Sequence, residues 1–343
     1  MLLVVAGIAG AIYEGGARRR ATRAFPPPGA WVDIGGRRIQ LDCRGSRSPT
    51  VVLEAGLDHF GSLSWDAVHD AIAHTTRVCA YSRAGMMWSD ATDDPFDSEG
   101  MAKDLRAALN RAGERSPWVM VGHSMGGPYV MTFTAHYPRE VAGLVFVDAA
   151  HPDQEARMRS APGTAPSLFQ RAKGTAMEVA GPPLVRMGAG RLVPVPPGLP
   201  TWTPEMLAAH RAYFATSAAA LLKEARAAKA TLRTAGRHRR LGARPLVVLT
   251  AAAPMSSAAR ERTGLTPEQD ARRLAAWTRL HQDQATWSTR ARHEIVDDAA
   301  HYIQLDRPDV VIRAVREVVA AVRESYAPPD QRPGPRAEEA VRR

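Results

Sequence analysis

Six short apolar runs constrain this chain more than any other feature: residues 50–56, 77–81, 118–122, 143–148, 245–250 and 292–296. They are mostly continuous rather than alternating. A strand reads this way when both its faces are covered, as in a parallel sheet flanked by helices. Residues 31–36 and 37–43 add a hairpin that turns at Gly35 and Gly36. Between the runs lie helical patterns, for instance Ser98 to Ala112 and Pro128 to His136. Strand alternating with helix predicts a doubly wound, mostly parallel eight-stranded α/β sheet with helices on both faces.

One gap breaks the rhythm. Between Asp148 and Pro245 no convincing strand occurs; residues 162–200 are rich in Pro and Gly, and Pro204 to Thr234 is Ala-rich and helical in pattern. A structureless loop of that length is improbable in a compact domain, so residues 151–243 are expected to form a helical cap inserted between strands 6 and 7. The core then comprises residues 31–150 and 244–326. It ends in a helix after Pro308 with Val311, Val315, Val318 and Val322 on one face, and residues 327–343 are expected to be a disordered tail.

Residues 1–30 stand apart: Leu2 to Tyr13 are apolar, and Arg18, Arg19, Arg20 and Arg23 follow. A secretory signal would carry its charges before the apolar stretch, so this order is reversed. A dozen residues at ~1.5 Å each cannot cross a ~30 Å hydrocarbon core. Two readings stand: a frayed or interfacial tail touching a membrane surface through residues 2–13, or a clipped anchor. Positive charge on the C-terminal flank would keep the following domain cytoplasmic. Elsewhere no stretch reaches the ~18 apolar residues of a spanning helix, which excludes a polytopic membrane protein.

Lys and Arg total 45 against 35 Asp and Glu, a balance of +10, yet only Lys103, Lys173, Lys223 and Lys229 are lysines. The arginines are spread throughout, with no basic stripe interleaved with aromatics, so nucleic acid is not an expected partner. Two cysteines, Cys43 and Cys79, rule out a disulfide framework and a four-cysteine zinc site. Histidines at no recognisable ligand spacing and the lack of a Walker-type loop predict neither metal nor nucleotide cofactor.

The chemistry concentrates at Gly122-His123-Ser124-Met125-Gly126, a Gly-x-Ser-x-Gly sequence that leaves an apolar strand and enters a helix. Such a turn strains the serine backbone and lifts Oγ above the sheet edge; side chains two positions away would clash, hence the glycines. The Met125 N–H then points at an incoming carbonyl oxygen. A serine hydroxyl needs a base within hydrogen-bond reach. Of the eleven histidines, His301 has the best address, on a loop between the last strand and a helix. His123 is expected to pack, and His59 either lines the pocket mouth or faces solvent.

From Trp31 to Tyr326 the chain resembles the α/β-hydrolase fold superfamily, and its serine-type, capped lipases and esterases in particular. Beside the serine turn, Glu54-Ala55-Gly56-Leu57 sits where that family places its second oxyanion donor, which implies the Leu57 N–H. Tyr81 to Gly85 and Ala299-Ala300-His301 resemble two further family segments. Two departures occur: Ser82 replaces the usual aspartate, and Met87 stands where glycine is usual, so that Met87 and Trp88 either narrow the pocket or repack a loop. Ser124 argues against the dehalogenases and epoxide hydrolases of the fold, which use aspartate there.

The family usually supplies the triad acid after strand 7, where this chain has Ala251-Ala252-Ala253-Pro254-Met255. Asp148, at the end of strand 6, is the preferred acid because some members place it there; Asp270 is the alternative, and Asp297 and Asp298 are too close in sequence to His301. The resemblance therefore implies a cofactor-free serine hydrolase, carboxylesterase-like, acting through an acyl-enzyme on esters of small or medium apolar substrates. Two other readings remain open: a non-catalytic ligand-binding relative, which the missing acid favours, and a perhydrolase with the same triad. The family's strand order makes strands 2 and 4 neighbours, so Cys43 and Cys79 approach each other, but cytoplasmic redox poise predicts two free thiols.

Overall fold

The computed structural model describes residues 2–94, 96–158, 184–185 and 187–326, with side chains from residue 8 onward. The proposed tail (327–343) and much of the Pro/Gly-rich stretch (159–183 and 186) lie outside the described residues.

Eight strands form one sheet: β1 (Ala30–Asp33), β2 (Arg38–Arg44), β3 (Val51–Glu54), β4 (Val78–Ser82), β5 (Trp118–His123), β6 (Val141–Val147), β7 (Leu246–Ala251) and β8 (Ala291–Val296). The spatial order is β1-β2-β4-β3-β5-β6-β7-β8. The β1/β2 and β2/β4 pairs are antiparallel, and all later pairs are parallel.

The helices are α1 (Leu2–Ala24), α2 (Asp66–Ala73), α3 (Ser98–Arg111), α4 (Gly126–His136), α5 (Gln154–Met158), α6 (Pro204–Ala235), α7 (Ser257–Thr263), α8 (Pro267–Ala285), α9 (Ile303–Asp306) and α10 (Pro308–Tyr326). Successive strand residues serve opposite faces. Val52, Met120, Phe146 and Val248 pack with Leu105 and Leu109 of α3 and Val130 and Phe133 of α4. Leu53, Val121, Val147 and Leu249 pack with Val68 and Ile72 of α2 and the valine stripe of α10. Two covered faces are why the runs are continuously apolar. Truncating Phe146, fully buried, to Ala would cost roughly 3–5 kcal/mol.

Between β6 and β7 the chain leaves the sheet, and α6 lies across α4 as the expected helix. Thr203 caps it, Oγ1 accepting from the Met206 N–H at 3.3 Å with Pro204 next in line. The N-terminus departs from a frayed tail. Residues Glu14, Ala17 and Ala21 of α1 are buried, spaced to share one helix face, and Arg191 of the insertion bonds Glu14 at 2.6 and 3.2 Å. Among the described residues no helix is long and apolar enough to cross a membrane.

The expectation of two free thiols is overturned. Antiparallel register sets Cys43 directly opposite Cys79, with Cα atoms 4.0 Å apart, and the two sulfurs are bonded. Residues opposed in a closely spaced antiparallel pair project side by side on one face, so strand pairing alone brings the sulfurs into contact.

Candidate active site

Ser124 sits where β5 meets α4 at φ +52°, a left-handed conformation unfavourable for a serine. The flanking glycines permit it. A Cβ at Gly122 would stand 2.6 Å from the Gly126 carbonyl oxygen, and one at Gly126 would stand 2.4 Å from that of Glu54. The turn is held from both sides: the Ser124 N–H donates to Val147 O at 3.2 Å, and its carbonyl accepts from Gly127 and Ala150.

His301, on the loop after β8, places Nε2 3.0 Å from Ser124 Oγ and Nδ1 2.7 Å from Asp148 Oδ2. Asp148 follows β6, directly beside β5, and its own backbone is left-handed at φ +44°. It is buried, and its Oδ1 accepts from the Ala251 N–H at 2.9 Å and from Trp277 Nε1 at 2.7 Å. Burial pushes this carboxyl up, but His301, His281 and Trp277 together hold it below the usual carboxylate range. Asp270 is not brought to the histidine: it is buried on α8, accepts from the Met255 N–H at 2.7 Å and pairs with Arg273.

The expected oxyanion residues converge. Leu57 and Met125 belong to one apolar cluster, and Gly56 lies so close that its Cβ would meet Ser124 Cβ at 2.9 Å. A signal not weighed in the sequence explains how this loop is held. Arg83, buried, donates to Ala55 O at 2.8 Å and Gly56 O at 2.7 Å while pairing with Glu54 and with Glu224 of α6. That buried charge cluster ties the insertion to the loop. Trp277 and His281 were equally invisible, having no motif of their own. His281 spans Thr250 Oγ1 and Ala149 O and is neutral, burial pulling it down to about 4.

His123 packs beneath the site, donating from Nε2 to His301 O at 2.9 Å; burial and the neighbouring His301 pull it down to about 3. His59 faces α6 rather than solvent, half-buried and 3.0 Å from His210 Nε2. Met87 and Trp88 repack a loop, buried with Ala21, Leu63 and Tyr213 where α1 and α6 meet the core. Ser82 replaces the aspartate without a gap, donating to Gln40 Oε1 at 2.7 Å and accepting from the Ser62 N–H. Cys43, Cys79 and Glu114 are the one group with metal-like proximity among the described residues, and bonded sulfurs are not thiolate ligands. A cavity of about 660 Å³ opens beside Asp148 and His301, walled by Met158, Pro254, Met255, Leu274 and Trp277.

Two structural comparisons share this architecture. An esterase of Thermogutta terrifontis superposes with a TM-score of 0.55 at 19% identity, covering 85% of this chain and 98% of that one. A putative epoxide hydrolase of Pseudomonas aeruginosa gives 0.59 at 20%, covering 86% and 96%. Among curated relatives, a probable transporter of Hormonema carpetanum, efuK, is 35% identical over 127 residues, 35% of this chain and 18% of that protein. The chain spans less than half the length of the curated relatives it matches. The alpha/beta hydrolase fold family matches over residues 49–308, from β3 through the loop bearing His301. The chain belongs to the alpha/beta hydrolase fold family.

Proposed function

We propose that this hydrolase is a serine carboxylesterase. One observation carries the reading: the continuous relay from Ser124 Oγ through His301 to Asp148, at 3.0 and 2.7 Å, on a left-handed serine. Ser124 Oγ attacks the ester carbonyl carbon while His301 Nε2 takes its proton. Asp148 holds the imidazole tautomer and stabilises the imidazolium. Negative charge on the former carbonyl oxygen is met by the Leu57 and Met125 N–H groups. Collapse expels the alkoxide, which receives the proton from His301, and leaves an acyl-serine. Water, deprotonated by the same imidazole, then releases the acid and restores Ser124.

The side chain of His301 is 46% exposed while that of Asp148 is buried, so the base is reachable and its acid is shielded. Apolar walls and a volume within the ~300–1,000 Å³ of ligand cavities support small or medium apolar esters. A carboxylate supplied from the end of β6, 2.7 Å from His301 Nδ1, supports a catalytic role over a purely ligand-binding one. The reading extends to contact with a membrane surface through the apolar residues 2–13.

Ser124→Ala should lower p-nitrophenyl ester hydrolysis by roughly 10³-fold or more with the fold intact. The wild type should label with a fluorophosphonate and the variant should not. An unlabelled wild type, or a variant within about tenfold of it, would overturn the assignment.

A further inference from the structure

Seven of the eight large hydrophobic side chains exposed among the described residues belong to α1 and to the part of the insertion that touches it. Ile8, Ile12 and Tyr13 stand on α1, while Leu184, Met187, Leu192 and Val193 belong to the insertion; Leu192 is 86% exposed. The two limbs touch. A Cβ on Gly10 of α1 would lie 2.1 Å from the Met187 carbonyl oxygen, and Gly188 lies against the Gly10 carbonyl and the Tyr13 ring. The Glu14–Arg191 ion pair locks them together. A patch this concentrated on a globular surface marks an interaction site rather than scattered exposure.

Its occupant follows from the rest of α1. At ~100° per residue, Ile8 and Ile12 share a helix face with Arg19 and Arg23, each arginine about three turns further on. The opposite face, with Glu14, Ala17 and Ala21, is buried against the insertion. The outward face therefore changes once, from an apolar tip to a cationic collar of exposed Arg19, Arg20 and Arg23 set ~16 Å along the axis. Leu2, Leu3, Val4 and Val5 extend the apolar sequence on the tip side. Apolar groups beyond a ring of arginines match a lipid interface, where tails take the first and anionic headgroups the second. A second copy of the chain fits worse, because a contact between two apolar tips leaves the arginine collar without the opposite charge that an anionic surface supplies.

We infer that α1 and residues 184–185 and 187–193 form one docking surface for an anionic phospholipid bilayer, with the apolar tip entering the interface and the arginine collar at the headgroups. This deepens the membrane contact proposed above and does not use Ser124, so it stands or falls apart from the esterase chemistry. Flotation of the full chain with unilamellar vesicles tests it. Binding to phosphatidylcholine–phosphatidylglycerol vesicles should exceed that to phosphatidylcholine alone by about tenfold or more and fall in high salt. Ile8→Asp combined with Leu192→Asp should abolish binding to both. Arg19→Glu with Arg23→Glu, on exposed side chains that leave the fold alone, should remove the anionic preference and spare the residual binding. Ser124→Ala should float like the wild type. No flotation with either vesicle, or flotation indifferent to both pairs of substitutions, would overturn the inference. So would a patch variant that only converts a dimer to a monomer in light scattering.

Discussion

The carboxyl ends of β6 and β7 lie side by side next to the loop that bears His301, yet they are used differently. At the end of β6, Asp148 bonds His301 Nδ1. At the end of β7, Ala251 contributes only a backbone N–H, and that N–H donates to Asp148. The acid reached after β7, Asp270, instead anchors the Met255 turn and Arg273. Both are buried carboxylates with full sets of donors, so burial and charge do not tell them apart. What separates them is which one faces the imidazole. The histidine loop packs against the end of β7 as well, Ala299 O accepting from the Ala253 N–H, and the strand without a carboxylate there serves as a donor shelf.

Asp148→Asn tests this contrast most severely. The amide keeps the shape but forces the wrong imidazole tautomer, so kcat should fall by up to ~10⁴-fold with melting temperature little changed. An intermediate effect is expected at Trp277, a positioning residue. Trp277→Phe removes one donor from Asp148 Oδ1. The carboxylate then holds the imidazole less firmly, and kcat should drop by about tenfold with KM little changed. Lower stability with an unmoved kcat would reduce Trp277 to packing.

Asp270→Asn inverts the expectation. Activity should stay within a few-fold, whereas unfolding should become easier by about 1–3 kcal/mol as the Met255 N–H and Arg273 lose a charged acceptor. A crippled Asp270 variant beside a near-normal Asp148 variant would exchange the two assignments. A last test is one of pH on the wild type. His123 and His281 titrate near 3 and 4 in the folded protein and near 6.5 when unfolded. Between those values the unfolded chain binds protons that the folded chain refuses, so melting temperature should fall as pH drops from 7 towards 4. A melting temperature that rose with acidification would mean these imidazoles are charged in place.

Much of this was legible in the sequence, because it rests on local physics. Strands covered on both faces must be continuously apolar, which marked six of the eight, and the glycine turn at Gly35 and Gly36 marked the other two. A serine forced into a left-handed turn needs glycine two positions to either side, which marked Ser124, and His301 was found from its loop address. The remainder depended on which distant segments meet. The sequence raised Asp148 and Asp270 together, and only strand adjacency brought one to the imidazole. Cys43 and Cys79 lay on strands known to be neighbours, but register alone put them opposite each other. Trp277 reaches Asp148 from 129 residues away, and Glu224 reaches Arg83 from 141. Leu2 to Tyr13 read as a tail or a clipped anchor, and nothing in the sequence showed that Glu14 of the same helix would meet Arg191. Such contacts leave no periodicity or spacing in the chain, since each is set by the packing of elements whose separation in sequence carries no record of their separation in space.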